Sequence, residues 1–151
     1  MKALGIIPAR AGSKRLPRKN VLPFGGKPLV CWAIEAALKA NRLDRLVVSS
    51  DDEEVLALAA GYGADLPWRR PVELASDTSP AIDYVRHALT TLEEDGEEHF
   101  DTIVILQPSS PLTLPEDIDA TVELLERSGA DTAVSVVKLE HAIHPYKLKT
   151  M

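Results

Sequence analysis

Five basic residues and no acidic one fall between positions 10 and 19, in the run Arg10-Ala11-Gly12-Ser13-Lys14-Arg15-Leu16-Pro17-Arg18-Lys19. The 151-residue chain as a whole carries net charge −6, so this cluster stands against its background. Arginine grips a phosphate with paired hydrogen bonds, whereas lysine acts as a mobile point charge. Gly12 and Ser13 add backbone freedom, exposed N–H groups and a hydroxyl donor. A cationic, donor-rich loop leaving a buried strand suits the phosphates of a small polyanion such as a nucleoside triphosphate. Arg10 lies closest to the strand and has the best-fixed base, while Lys14 and Lys19 can reach along the phosphates. On charge alone, a solvated basic loop without a ligand is the competing reading. The loop is not a Walker A motif, because Gly25-Gly26-Lys27 is followed by Pro28, and no Gly-x-Gly-x-x-Gly fingerprint occurs.

The elements that must position this loop follow from hydrophobic patterning. Ala3 to Ile7 is apolar without alternation, as in a strand buried on both faces. Pro17 and Pro23 keep a helix out of the loop, and Phe24-Gly25-Gly26-Lys27 makes a turn. A helix is predicted from Pro28 to about Asn41, burying Leu29, Ala33, Ala36 and Ala37. A strand at 45–50 and a helix opened by the acids Asp51 to Glu54 and stopped at Gly61 or Gly63 come next. Ala64 to Trp68 reads as a short strand, and the polar run from Arg69 to Pro80 as a candidate binding loop. A helix then presents Ile82, Val85, Leu89 and Leu92 on one face. Thr102 to Leu106 reads as the clearest buried strand, followed by Gln107-Pro108-Ser109-Ser110-Pro111. A helix over 115–128 buries Ile118, Val122 and Leu125, and Thr132 to Leu139 reads as a last strand. Alternation of strands and helices predicts an α/β fold with a mostly parallel sheet and helices on both faces. Ligands of such sheets bind beyond the carboxyl ends of the strands. The basic loop, the Ser49-Ser50-Asp51 turn and the Gln107-Pro108 turn all leave such ends, so one cleft can gather them.

Composition narrows the function. Apolar content of 45% and charged content of 26% match a globular domain rather than a disordered chain. A pI near 5.2 argues against general nucleic-acid binding, which favours a basic face. Cys31 is the only cysteine, so no intramolecular disulfide forms, and its expected role is a small buried apolar residue. No signal peptide or membrane span is visible, and a cytoplasmic protein without membrane or nucleic-acid partners is the expectation. His141 and His144 lack the carboxylates or cysteines of a metal site, and Pro145 breaks any helix there. Asp51 has two readings, contact with a metal or ribose and capping of the following helix. Trp68 either stacks on a base or packs beside the strand.

Ile7-Pro8-Ala9-Arg10-x-Gly12-Ser13-Lys14 with Lys19-Asn20, then Ser49-x-Asp51, then Arg70-Pro71-x-Glu73-Leu74-Ala75-x-Asp77, then Leu106-Gln107-Pro108-x-Ser110-Pro111-Leu112 resemble the acylneuraminate cytidylyltransferases. These enzymes make CMP-activated sialic and related nonulosonic acids. The resemblance covers nearly the whole chain, and four motifs in order are more specific than any one. It implies a Rossmann-like three-layer nucleotidyltransferase fold spanning 1–151, usually in a homodimer. It further implies transfer of CMP from CTP to the anomeric hydroxyl of an N-acetylneuraminate-type sugar, with release of pyrophosphate and with Mg2+ as cofactor. A related 3-deoxy-manno-octulosonate enzyme, another nucleotide-sugar enzyme, or a non-catalytic nucleotide-binding module are the alternatives. By the same resemblance, Arg10, Lys14 and Lys19 are the catalytic cations, and Gly12 and Ser13 join them on the triphosphate. Asn20 and Arg70 lie near the nucleotide, and backbone around Pro8, Ala9 and Ser79 reads the cytosine. Gln107 stands between nucleotide and sugar, Ser109 and Ser110 shape the sugar side, and Lys149 meets the sugar carboxylate. Ser109 stands where threonine is common in the family. Family members are longer, and their additional residues carry further sugar contacts and the aspartate pair for the metal. The expectation is therefore that 1–151 is the N-terminal part of a longer domain, inactive by itself.

Overall fold

Leu4, Ile6 and Ile7 are fully buried in β1 (Ala3–Pro8), as an apolar strand without alternation requires. The structure is a computed structural model and describes residues 1–13, 16–65, 68–76, 78–94 and 98–137. A two-residue turn joins the short strands β2 (Pro23–Phe24) and β3 (Lys27–Pro28), with Gly25 and Gly26 at φ 58° and 93°. Both glycines are needed there, because a positive φ at each central position is what a tight hairpin demands. The sheet is completed by β4 (Arg45–Ser49) and β5 (Thr102–Ile105), both parallel to β1, in the order β4-β1-β5. Leu4 pairs with Arg45 on one side and with Ile103 on the other.

Helices cover both faces. On one side, α1 (Leu29–Lys39), α2 (Glu53–Tyr62) and α4 (Pro115–Ser128) bury Val30, Ile34, Val55, Ala59 and Ile118 against Ile7 and Val48. On the other, α3 (Ala81–Glu94) packs Tyr84, Val85, Ala88 and Leu92 against Leu4, Ile6 and Val47. Adjacent β1 residues thus serve opposite layers, as strand geometry requires. Each fully buried Leu or Ile contributes roughly 1.5–3 kcal/mol of transfer free energy, which pins the register of β1. The ends of α2 follow local chemistry. Asp52 Oδ1 accepts from Glu54 N at 2.9 Å, Glu53 and Glu54 occupy the first turn, and Gly63 at φ 87° closes the helix. Cys31 is buried in α1.

Four expectations are corrected. β5 is only partly buried, with Ile105 44% exposed, because among the described residues it has β1 as its single neighbour. Residues 132–137 form no strand, and Val134, Val136 and Val137 are exposed; an apolar β-pattern needs a ladder partner before it becomes a strand. The segment predicted as a short strand at 64–68 contributes one parallel bridge, Val47 with Asp65. In α3, Ile82 is exposed while Tyr84 and Ala88 turn inward, a shift of helical phase set by which face meets the sheet. Trp68 packs among the partly buried residues beside α3, edge-on to His87 at 5.5 Å, which is the packing reading.

Asp119 on α4 ties that helix to the end of α1, accepting from Asn41 N at 3.1 Å, Asn41 Nδ2 at 3.0 Å and Arg42 N at 2.8 Å. Burial opposes its charge, but the backbone donors of Asn41 and Arg42, with the Asn41 amide and the Arg42 charge, hold its carboxyl below the usual aspartate range. A depressed carboxyl pKa stabilises the fold above the unfolded value and loses that contribution as pH falls through the folded value. Asp119→Ala should therefore lower Tm at pH 7, and the gap from wild type should close as pH drops below about 4. Thermal unfolding followed by circular dichroism between pH 2 and 7 measures this.

Candidate active site

The carboxyl ends of β1 and β4 are stitched together by short hydrogen bonds. Ala9 N donates to Ser49 O at 3.0 Å, and the buried Ser50 Oγ donates to Ala9 O at 2.6 Å. One residue further, Ala11 N donates to Asp51 Oδ1 at 2.8 Å. Asn20, itself buried, donates from Nδ2 to Arg10 O at 3.0 Å. The basic loop therefore leaves β1 clamped on both flanks, by β4 on one and by its own return on the other. Of the two readings of Asp51, the capping one is corrected: Asp52 caps α2, and Asp51 accepts from the loop backbone.

Arg70 continues this arrangement. Its N–H donates to Ser50 O at 2.8 Å, its Nε to Ser49 Oγ at 2.9 Å and its Nη2 to Ser49 O at 2.7 Å. The ring of Tyr84 lies 4.8 Å from the guanidinium carbon. Arg70 is 4% exposed, and among the described residues it forms no salt bridge with a carboxylate. Burial pushes its pKa below the ordinary arginine value, the Asp51 and Tyr84 charges pull it back, and Arg10 opposes them. Arginine stays charged through such shifts. Burying a cation without an ion pair is costly, and this one borders a cleft.

A cleft of about 340 Å3 opens at these strand ends. The end of β1 and the basic loop contribute Pro8, Arg10, Gly12, Ser13, Lys19 and Asn20. The segment before α3 contributes Arg70, Leu74, Ser76 and Ser79, α3 itself contributes Ala81 and Tyr84, and the turn after β5 contributes Gln107 and Pro108. Among the described residues, three cations and no carboxylate line it, in a chain of net charge −6. Ser79 Oγ donates to Glu73 O at 2.8 Å and lies 2.6 Å from Ser76 Oγ, which braces the wall opposite the basic loop.

Not every basic residue of the loop faces this cleft. Arg18, at φ 55°, turns to the first turn of α2, with Nη2 2.6 Å from Glu54 Oε2 and 3.4 Å from Asp52 Oδ2. Arg69, beside the buried Arg70, likewise points out to Glu53 at 2.8 Å. Ala9 is buried beneath the cleft rather than lining it, and Ser109 and Ser110 are exposed outside the lining. Lys14 and Lys149 lie outside the described residues, as do Asp77, His141 and His144. Sequence reasoning missed Tyr84 and Ala81, while Leu74 and Ser76 fall in the run from Arg69 to Pro80 read as a candidate binding loop. An aromatic on an apolar helical face carries the same signal as any core residue, so nothing in the pattern distinguished Tyr84. Burial pushes its phenol pKa up, with Arg70 pulling the other way. Its hydroxyl is buried without a hydrogen-bond partner among the described residues.

No group of three His, Cys, Asp or Glu side chains able to hold a metal occurs among the described residues. Asp51 has already given one oxygen to the loop.

A family model described as cytidylyltransferase matches residues 4–150. The chain belongs to the cytidylyltransferase family. It is 41% identical over 141 residues to CMP-N,N'-diacetyllegionaminic acid synthase of Legionella pneumophila, covering 93% of this chain and 60% of that protein. It is 43% identical over 143 residues to pseudaminic acid cytidylyltransferase of Campylobacter jejuni, covering 95% of this chain and 61% of that protein. The solved structure of CMP:2-keto-3-deoxy-manno-octonic acid synthetase complexed with CTP superimposes with a TM-score of 0.70 at 26% identity, covering 86% of this chain and 49% of that one. These relatives bear out the acylneuraminate-type resemblance and the nucleotidyltransferase fold. The chain spans about 60% of the length of the first two relatives.

The clasp from Asp51 to Ala11 is testable in this cytidylyltransferase-family chain. Asp51→Ala strands a partly buried N–H, and should cost about 1–3 kcal/mol in urea unfolding while speeding hydrogen exchange at the Ala11 amide. Unchanged exchange at Ala11 would show that the loop is held by other bonds.

Proposed function

We propose that the complete protein transfers CMP from CTP to the anomeric hydroxyl of a nonulosonic acid, and that this chain supplies its triphosphate-binding half. One observation carries the reading: among the described residues, Arg10, Lys19 and Arg70 share a single cleft with Gln107. Relatives named for legionaminic and pseudaminic acid supply the acceptor class. The reaction makes a bond from the anomeric oxygen to the α-phosphorus of CTP and breaks the α–β bridging bond. Pyrophosphate leaves with the bonding electrons, and the hydroxyl proton is lost. Phosphoryl transfer of this kind depends on positioning and on offsetting charge. Arg10 stands beside the reacting phosphorus in this reading, while Lys19, with Lys14, follows the β- and γ-phosphates. Preorganised cations act strongly here because the clamped backbone need not rearrange as charge builds. Gly12, Ser13 and Asn20 donate to the phosphates and their surroundings, and Pro8, Ala9 and Ser79 border the base. Gln107 divides nucleotide from sugar, and Ser109, Ser110 and Lys149 belong to the sugar side. The homodimer and the cytoplasmic location are proposed with the same reading. Mg2+ is proposed with the same reading, its aspartate pair belonging to the longer domain that the resemblance implies.

A second acceptor is favoured by specific relatives. The chain is 33% identical over 151 residues to 3-deoxy-manno-octulosonate cytidylyltransferase of Zea mays, and the CTP-bound structure above has an acceptor of that kind in its name. Titration of the chain with the four nucleoside triphosphates, followed by pyrophosphate release from the complete protein with each class of sugar acid, separates these readings. CTP should bind in preference to UTP, ATP and GTP, and a nonulosonic acid should release pyrophosphate fastest. Equal binding of all four nucleotides would overturn the cytidine assignment. Arg10→Ala in the complete protein should lower turnover by roughly 10²-fold or more, by analogy with loss of a single transition-state donor. Arg70→Met, which removes a buried charge, should leave stability within about 1 kcal/mol or raise it while weakening CTP, as read by calorimetry and urea unfolding.

A further inference from the structure

Tyr84 lines the cleft from α3, the layer on the far face of the sheet, and touches the Arg70 cation. It sits in α3 with Val85, Ala88 and Leu92, packed on Leu4 and Ile6 of β1. Its ring lies with the Arg70 guanidinium carbon 4.8 Å from its centroid, and Ser49 supplies two acceptors to the same guanidinium. A guanidinium has several more N–H groups than these two bonds use. Nothing acidic among the described residues fixes the plane in which the remainder point.

We propose that Tyr84 is a positioning residue: its ring face sets the plane of the Arg70 guanidinium, so that the N–H groups not taken by Ser49 point into the cleft. Three observations agree with this. The guanidinium donates to a β4 carbonyl and a β4 hydroxyl oxygen and also meets an aromatic face, contacts that hold arginine without cancelling its charge. A carboxylate in the place of Tyr84 would hold it as well but would neutralise it towards an incoming anion. The Tyr84 hydroxyl has no partner, so the ring rather than the oxygen explains the contact. Tyr84 is 7% exposed, which keeps the contact dry and strengthens it. The part of this inference that concerns ligand binding rests on the triphosphate reading above; the part that concerns guanidinium geometry does not.

Two measurements on the full chain test it. The first is hydrogen exchange at Arg70 Nε–H, followed by side-chain 15N correlation spectra of the unliganded protein. Exchange should be slow in wild type and in Tyr84→Phe, and roughly tenfold or more faster in Tyr84→Leu. The second is CTP affinity by calorimetry. Tyr84→Leu should weaken CTP roughly 3- to 30-fold, Tyr84→Phe should stay within about twofold, and Tyr84→Leu should have no added effect in an Arg70→Met background. Tyr84→Met, of similar volume and adaptable shape, takes the place of Tyr84→Leu if that variant does not fold. Unchanged Nε–H exchange in Tyr84→Leu overturns the proposal. So does an equal loss of CTP affinity in Tyr84→Phe, which would make the hydroxyl a direct ligand contact. A full effect of Tyr84→Leu without Arg70 would also overturn it. If wild type binds no CTP, the triphosphate reading fails, and Nε–H exchange alone decides the role of Tyr84.

Discussion

A charged guanidinium buried with no salt bridge to a carboxylate among the described residues is the constraint around which this molecule is arranged. Arg70 is 4% exposed and is held by Ser49 Oγ, Ser49 O and the face of Tyr84. Removing such a group from water costs several kcal/mol unless its hydrogen bonds and its charge are met. The protein meets some of the hydrogen bonds, and the Asp51 charge offsets only part of the cost of burial. That is a poor solution for stability alone and a good one for binding an anion. It also demands rigidity from its neighbours, because a guanidinium held by backbone oxygens is only as well placed as that backbone. The bonds joining Ala9, Ser49 and Ser50 supply this rigidity at the point where β1 and β4 end.

The acids around the cleft obey the same requirement. Asp51 spends an oxygen on Ala11 N, Asp52 caps α2, and Glu53 and Glu54 meet Arg69 and Arg18 on the outer surface. Negative charge is thus abundant within one turn of the cleft and is turned away from it. Exposed pairs such as Arg18 with Glu54 add little stability. Their effect on the site is to keep those carboxylates occupied elsewhere. An acidic protein can in this way present a lining of three cations.

The two halves of the cleft are built to different standards. The wall made by β1, β4 and the start of α3 rests on buried strands and short hydrogen bonds. The wall after β5 rests on a strand that is partly exposed and has one described neighbour. Gln107 and Pro108 stand at that boundary. Within the proposed reaction, the firm half receives the triphosphate and the open half lies towards the sugar. The specificity for one sugar acid over another would then be settled largely outside the firm half.

Much of this was legible in the sequence, for reasons that differ by element. β1 and the helix at Pro115–Ser128 announced themselves because burial on both faces, or on one helical stripe, leaves a direct pattern. The basic loop was legible because charge against an acidic background needs no tertiary knowledge, and motif order pointed to the family. Local pattern could not say which cations face inward. Arg10, Arg18 and Lys19 look alike in one dimension, and the acids of α2 decided that Arg18 turns away. It could not give β5 its exposure or deny 132–137 a strand, because both depend on which strands lie alongside. Nor could it pick Tyr84 out of an apolar helix face, since the role of that ring is set by a guanidinium fourteen positions earlier in the chain. Chemistry and periodicity are properties of neighbouring residues and were settled by the sequence itself. Which side of a cleft a charge occupies is a property of packing, and only the folded molecule decided it.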